Sequence, residues 1–129
     1  MSNNFFQFKQ FTIHQEHCAM KVCTDACLFG AWIAERIKYN SSVKSILDIG
    51  CGTGLLSLML AQVSTAQIDA VELDTLAAKQ AAENAAQSPW SNRIQVINSA
   101  IQKYQSQHLY DFIISNPPFF EDDLKSDNE

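Results

Sequence analysis

The chain has 129 residues, of which 47% are hydrophobic, so it is long enough for one domain with a buried core. It contains no apolar run of the ~20 residues that cross a bilayer, and its first residues lack the basic start and apolar stretch of a secretory signal. The net charge of −5 lies mostly in residues 121–129, with five acids and one lysine, and no basic patch indicates a nucleic-acid partner.

The four cysteines, Cys18, Cys23, Cys27 and Cys51, form no Cys-x-x-Cys pair. The first three lie five and four residues apart, but no fourth ligand stands at a spacing that is usual for zinc. We therefore interpret them as free thiols of a reduced, cytoplasmic protein without a metal site.

The first 17 residues are polar and aromatic, and we expect them to lie as an extended cover over a helix. Thr24 and Asp25 then mark the start of a helix, because both residue types favour helix N-termini. Apolar residues recur at helical spacing as far as Ile37 and form one face of this helix.

Apolar runs then alternate with helical patterns along the rest of the chain. The predicted strands are 45–49, 67–73, 93–98 and 110–115, and the predicted helices are 55–63, 75–87 and the short 99–104. Asp74 is the predicted N-cap of the second of these helices, which Pro89 ends. Such alternation is typical of an α/β fold in which helices cover both faces of a parallel sheet.

Four unusual segments follow the carboxyl ends of the predicted strands, where open α/β sheets bind their ligands. They are GCGTG (50–54), Glu72, NS (98–99) and NPPF (116–119). Since the carboxyl ends of parallel strands meet at one edge, we expect all four segments to line the same edge of the sheet.

The first segment carries glycines that let a backbone approach a ligand closely at the start of a helix. The spacing of Gly50, Gly52 and Gly54 differs from the Gly-x-Gly-x-x-Gly fingerprint of dinucleotide-binding proteins. Asp48 precedes them, and an acid there favours a cationic or amine-bearing ligand over a phosphate. Glu72 ends the second strand about 20 residues further on, where a carboxylate accepts both hydroxyls of a ribose. The alternative for Glu72 is a surface acid beside the helix cap.

The sequence DIGCGTG (48–54) resembles the first motif of the class I S-adenosylmethionine-dependent methyltransferases, and Glu72 matches their second motif. The resemblance implies a Rossmann-like fold with S-adenosylmethionine as cofactor. It implies that residues 50–54 pass under the methionine part and that Glu72, with Leu73 beside it, holds the ribose. Asp48 would act on the methionine end through water.

The segment NPPF must end its strand, because proline has no N–H to donate to a sheet. It resembles the N-P-P-[YF] motif of methyltransferases that act on nitrogen in a planar group, which is adenine N6, guanine N2 or a glutamine amide. The Asn116 side-chain oxygen and the Pro117 carbonyl would accept the two N–H groups and favour a tetrahedral nitrogen as the methyl arrives. Phe119 would stack on the base after it is flipped out. The alternative is a plain strand-ending turn.

Further segments resemble the bacterial tRNA(Val) adenine-N6 methyltransferases, and together they cover nearly all of residues 7–120. They are FKQF (8–11), CAMKV (18–22), TD (24–25), GAW (30–32), IDAVEL (68–73), ENAAQSPW (83–90) and IISNPPFF (113–120). The resemblance implies a tRNA substrate, methylated on the adenine beside the anticodon.

In such enzymes the K-V-x-T-D segment lies near the cofactor, so Lys21, Thr24 and Asp25 are candidate binding residues. For Thr24 and Asp25 a simple helix cap is an equal alternative. The family usually has an acid after the third strand, where this chain has Ala100, and Ser99 or a backbone group is the candidate substitute.

The resembled fold has seven strands, of which four are predicted here. We therefore expect the N-terminal portion of a longer enzyme, in which 1–120 belong to the methyltransferase domain, 1–23 form its N-terminal extension and 121–129 are a flexible acidic tail. Strand 110–115 would then have one unpaired apolar edge, which predicts self-association. Alternative functions are another N-methyltransferase with this motif, acting on rRNA guanine or protein glutamine, and a non-catalytic cofactor-binding fragment. A nicotinamide dehydrogenase half-domain does not fit the glycine spacing.

Overall fold

The computed structural model describes residues 4–18, 21–106 and 108–117. The elements in these ranges are β1 (Phe5–Gln7), β2 (Thr12–His14), α1 (Thr24–Ile37), β3 (Ser45–Ile49), α2 (Leu55–Val63), β4 (Gln67–Glu72), α3 (Thr75–Ala86), β5 (Ile94–Asn98), a 3-10 helix (Ile101–Lys103) and β6 (Phe112–Ser115). No helix in the described ranges is long and apolar enough to cross a membrane.

The main sheet contains four parallel strands in the order β5-β4-β3-β6. β3 is central, and its Asp48 lies beside Ala70 of β4 on one side and Ile114 of β6 on the other. The chain order reverses between β3 and β6, which makes their carboxyl ends the point where such sheets bind ligands. The predicted α/β class with a parallel sheet is confirmed.

The three α-helices pack on one face of this sheet. Ile46, Ile68 and Ile114 point to the same face and share an apolar cluster with residues of α1 and α2. Ala70 lies two residues beyond Ile68, so it also points to this face, where it contacts Ala81 of α3. The buried core therefore lies between β3, β4, β6 and these helices.

The opposite face carries the short helical segment after β5. Asp69 points there because it alternates with Ile68, and the Tyr104 hydroxyl that follows the 3-10 helix lies 3.4 Å from its carboxylate. The predicted helix 99–104 is thus a single 3-10 turn. Among the described residues, three α-helices lie on one face and this 3-10 turn lies on the other, where Ile113 of β6 stays exposed.

The N-terminal residues form an antiparallel hairpin of β1 and β2. Its inner residues Phe11 and Ile13 are buried against Leu55 and Leu58 of α2. This agrees with the expected extended cover over a helix. The hairpin is a third layer outside the helices and shares their apolar packing.

Two helix starts differ in how they are capped. The Asp74 carboxylate accepts a hydrogen bond from the Ala77 N–H at 2.8 Å, so the predicted cap of α3 is confirmed. The predicted start of α1 at Thr24 and Asp25 is confirmed, but their interpretation as caps is wrong, because Cys23 holds the N-cap position without a side-chain hydrogen bond. Both residues belong to the first turn of the helix, where the helix dipole stabilises an acidic side chain.

β6 begins two residues later than predicted. The Asp111 carboxylate accepts hydrogen bonds from the Lys44 and Ser45 N–H groups, at 2.8 and 3.1 Å. The Asp111 side chain thus binds the start of β3. Residues 110 and 111 therefore lead the chain into β6 without being part of the strand.

Candidate functional site

The turn after β3 requires glycine at three positions. Gly50, Gly52 and Gly54 have φ angles of 70°, 54° and 88°, in the left-handed region that side chains disfavour. A β-carbon at Gly50 or Gly52 would meet no atom within 4 Å, whereas at Gly54 it would contact Ala81 at 3.5 Å. The first two glycines therefore border open space, and the third allows α2 to approach α3.

A cavity of about 460 Å³ lies at the carboxyl ends of β3, β4 and β5. Among its walls are the predicted residues Gly50, Gly52, Glu72, Leu73 and Ser99. The expectation that these segments share one edge is confirmed for the three strands. A cavity of this size can enclose a cofactor-sized molecule.

Glu72 places a carboxylate in the wall of this cavity and is itself held by the backbone. One oxygen accepts a hydrogen bond from the Gly52 N–H at 2.8 Å, and the other accepts one from the Asp74 N–H at 2.9 Å. Each carboxylate oxygen can accept a further bond. The side chain is therefore oriented in advance and can still receive two hydroxyl groups.

Asp48 is a buried acid beneath the glycine turn, only 1% exposed. Its Oδ2 accepts a hydrogen bond from the Ser57 hydroxyl at 2.7 Å, and its Oδ1 has no partner among the described residues. Burial raises the pKa of this carboxyl to about 6, while the Ser57 bond lowers it and nearby Glu72 raises it. The group is anionic at neutral pH, so its unpaired oxygen favours a cationic or N–H-bearing ligand.

A smaller cavity adjoins the first through the same glycines and holds Asn116. Its walls include Gly50, Gly52, Lys21 and Asn116. β6 brings Asn116 there because Ser115 lies beside Ile49, and the Ser115 hydroxyl donates to the Ile49 carbonyl at 3.1 Å. The Asn116 amide therefore stands against the turn that borders the larger cavity.

The other predicted site residues are placed as follows. Lys21 is exposed, and its amino group donates to the Gln15 carbonyl. Thr24 and Asp25 are exposed and line neither of the two cavities. Pro117 is exposed, and Phe119 lies outside the described residues.

The end of the larger cavity near β5 contains Ser99 and Ala100. The Ser99 N–H donates to the Glu72 carbonyl at 3.0 Å, so β4 fixes this loop. The Ser99 hydroxyl donates to the Ala100 carbonyl at 2.9 Å. At this end the wall is thus formed by Ser99, Ala100, Ile101 and Gln102, with no carboxylate at position 100.

Sequence analysis did not identify Cys18, a wall residue of the larger cavity, or the buried amides Gln80 and Asn84 of α3. The amides lie four residues apart on the apolar face of an alanine-rich helix. Polar residues at core positions are the signal that could have indicated them, because buried amides require partners.

The chain matches the family described as "Methyltransferase small domain" over residues 30–128. A tRNA1(Val) (adenine(37)-N6)-methyltransferase of Dyadobacter fermentans is 57% identical over 125 residues, which are 96% of this chain and 50% of the relative. Its counterpart in Cytophaga hutchinsonii is 54% identical over 130 residues, which are 99% of this chain and 53% of the relative. The chain spans about half the length of the curated relatives it matches.

Solved structures show the same fold. A putative RNA methyltransferase from Pyrococcus horikoshii has a TM-score of 0.60 and 26% identity, covering 74% of this chain and 44% of that one. A SAM-dependent methyltransferase from Agrobacterium tumefaciens has a TM-score of 0.73 over 92% of this chain and 41% of that one, and at 18% identity it supports the fold alone. The site at the strand ends and the match over residues 30–128 agree, and the chain belongs to the methyltransferase small domain family.

Proposed function

We propose that the chain is the cofactor-binding part of an S-adenosylmethionine-dependent enzyme that methylates N6 of an adenine beside the anticodon of tRNA. One observation carries the proposal. The glycine turn borders both the large cavity, with its Glu72 carboxylate, and the small cavity, with its Asn116 amide. A methyl donor and an acceptor nitrogen can therefore meet across Gly50 and Gly52. The names of the relatives support tRNA adenine as the acceptor.

The large cavity fits S-adenosylmethionine, which supplies a methyl group on a positively charged sulfur. Glu72 has free acceptor capacity for the two ribose hydroxyls. The buried Asp48 anion, with one unpaired oxygen, favours the positively charged methionine end. Leu73 and Ile101 give the cavity apolar walls that suit the adenine ring.

The small cavity suits an exocyclic amine. The lone pair of such a nitrogen is delocalised into the ring, so the nitrogen is a poor nucleophile until its geometry changes. The Asn116 side-chain oxygen and the Pro117 carbonyl are proposed to accept its two N–H groups. These bonds strengthen as positive charge develops on the nitrogen, which lowers the barrier to transfer. In this proposal transfer is direct, without a metal ion or a covalent enzyme intermediate. The N–C bond forms as the S–C bond breaks, S-adenosylhomocysteine leaves, and the methylated nitrogen loses one proton to water. Phe119 is the proposed stacking partner of the base.

The location and the remaining candidate residues belong to the same proposal. We propose a cytoplasmic enzyme, since the proposed substrate is tRNA. Lys21, which borders the small cavity, and Thr24 and Asp25, on the adjoining first turn of α1, stay candidates for contacts with the cofactor.

The proposal is tested on the whole enzyme of which this chain is proposed to be the cofactor-binding part, by incubating it with methyl-labelled S-adenosylmethionine and a tRNA-Val transcript, followed by nucleoside analysis. We expect N6-methyladenosine, and none when the adenine beside the anticodon is replaced by guanine. An Asn116→Ala variant should lose about 100- to 1,000-fold in rate, the typical effect of removing one group that stabilises transition-state charge. Label found in rRNA guanine or in a protein glutamine, with none in tRNA, would favour the alternative substrates of this motif.

A further inference from the structure

Buried amide side chains of α3 hold His14, His17 and the glycine turn. The Asn84 side chain is 1% exposed and bridges two parts of the chain. Its amide nitrogen donates to the His14 carbonyl at 2.9 Å and to the Thr53 carbonyl at 2.8 Å. Its oxygen accepts from the His14 N–H at 2.9 Å. One side chain thus fixes the end of β2 and the glycine turn to the same point of α3.

Two further buried amides continue this attachment toward the cavities. The Gln80 oxygen accepts from the His17 N–H at 3.2 Å. The Gln15 side-chain oxygen accepts from the Val22 N–H at 2.9 Å. Gln80 is 3% exposed and Gln15 is 6% exposed, so each bond is shielded from water. His14 and His17 are therefore attached to α3, and Val22 is attached to Gln15, the neighbour of His14.

Residues close to these attachments supply walls to both cavities of the proposed site. Cys18 borders the large cavity, and Lys21 and Val22 border the small one. Thr53, whose carbonyl Asn84 holds, belongs to the glycine turn between them. Asn84 is thus the side chain that joins His14 to the glycine turn that both cavities share.

We infer that Asn84 is a positioning residue, which holds the glycine turn and residues 14–18 together in the arrangement that receives the cofactor. This inference rests on the proposed function for the identity of the ligand. A site assembled before binding avoids the cost of ordering two loops when the ligand arrives. Asparagine is suited to the role because it donates twice and accepts at the same time, whereas aspartate has no N–H to give the two carbonyls.

The inference predicts a specific effect of Asn84→Asp, which keeps the shape of the side chain and removes both donors. Two backbone carbonyls would then face a carboxylate in a buried place, and the glycine turn and residue 14 would separate. We expect the Kd of S-adenosylhomocysteine to rise about 10- to 100-fold, measured by calorimetry well below the Tm of the variant.

The matched control is Arg93→Gln. The Arg93 guanidinium also donates to two backbone carbonyls, those of Ala66 and Ala61 at 2.8 and 2.9 Å, and it lines neither cavity. This variant should lower the Tm while it leaves the Kd within about twofold, since lost stability alone does not alter the site of the folded fraction. If Asn84→Asp lowers the Tm and leaves the Kd unchanged, Asn84 is merely structural and the inference is wrong.

Hydrogen exchange of the ligand-free protein separates this inference from the proposed cofactor. Asn84→Asp should speed amide exchange in residues 14–18 and 50–54, and Arg93→Gln should not. Unchanged exchange in those segments would overturn the inference even if the parent chain binds S-adenosylhomocysteine. Faster exchange together with no binding by the parent chain would overturn the proposed cofactor instead. If Asn84→Asp does not fold, Gln80→Leu, which removes only the His17 bond, gives the same comparison for residues 14–18.

Discussion

Replacing Asp48 by asparagine should make the protein more stable at neutral pH. The carboxyl group is 1% exposed, and its Oδ1 has no partner among the described residues. Burial raises its pKa from an ordinary 3.8 to about 6. The anion that exists at pH 7 is therefore held in the folded state at a cost in free energy, which Asp48→Asn removes.

The size and pH range of the effect follow from this pKa. The folded state binds the proton more tightly than the unfolded state, so the protonated carboxyl makes its full contribution to stability below pH 3.8. That stability is lost as the pH rises toward about 6, and above that the loss is constant. At ~1.4 kcal/mol per pH unit, the loss reaches about 3 kcal/mol. Asp48→Asn should therefore gain up to about 3 kcal/mol at pH 8 and almost nothing at pH 4.

The assay is urea unfolding of the parent and of Asp48→Asn between pH 4 and pH 8. Asp25→Asn is the control, because it neutralises an exposed acid on α1 and should give no gain in stability at pH 8. Equal pH dependence of the parent and Asp48→Asn would refute the reasoning. We expect the more stable Asp48→Asn to bind S-adenosylhomocysteine more weakly, because the anion that destabilises the fold is proposed to attract the methionine end.

Two further predictions concern the glycine turn and the edge of the sheet. Gly52→Ala should lower the free energy of unfolding by about 1–2 kcal/mol, because φ is 54° there. It should also weaken the binding of S-adenosylhomocysteine measured by calorimetry, because Gly52 lines both cavities. Unchanged affinity would contradict this prediction. β6 pairs only with β3 among the described strands and its Ile113 is 59% exposed, so the parent should self-associate in light scattering and Ile113→Lys should be closer to a monomer. A clean monomer of the parent at moderate concentration would contradict the second prediction.

Most of the fold could be predicted because local signals decide it. The short apolar runs, the glycines after β3 and the acid at Asp74 each determine the structure of their own neighbourhood, and the strand ends differ from prediction by one or two residues. Glu72 and Ser99 could be assigned to one edge because parallel strands bring their carboxyl ends together.

The contacts of Asn84 could not be predicted, because they join residues that lie far apart in the chain. His14 is 70 residues away and Thr53 is 31 residues away. Nothing in a single sequence shows which buried backbone groups an amide will meet, since tertiary packing decides it. The N-cap of α1 was missed for a related reason. Cys23 is a poor capping residue, and the segment that leads into α1 is held by Gln15, whose oxygen accepts the Val22 N–H.

The central claim is that Glu72 binds the ribose of S-adenosylmethionine, and its test compares two ligands. Calorimetry would measure S-adenosylhomocysteine and its 2′,3′-dideoxy analogue against the parent and Glu72→Gln, with folding checked by circular dichroism. Glu72 accepts the Gly52 and Asp74 N–H groups whichever ligand is bound. The difference in affinity between the two ligands therefore reports the contacts of the ribose hydroxyls alone.

At about 1.5–3 kcal/mol for a hydrogen bond to a charged group, each hydroxyl contributes about 10- to 150-fold in affinity. We expect the parent to bind S-adenosylhomocysteine and to prefer it over the analogue by at least 10-fold. Glu72→Gln should lose most of that preference. A folded parent that binds neither ligand, or a preference that Glu72→Gln keeps in full, would contradict the account.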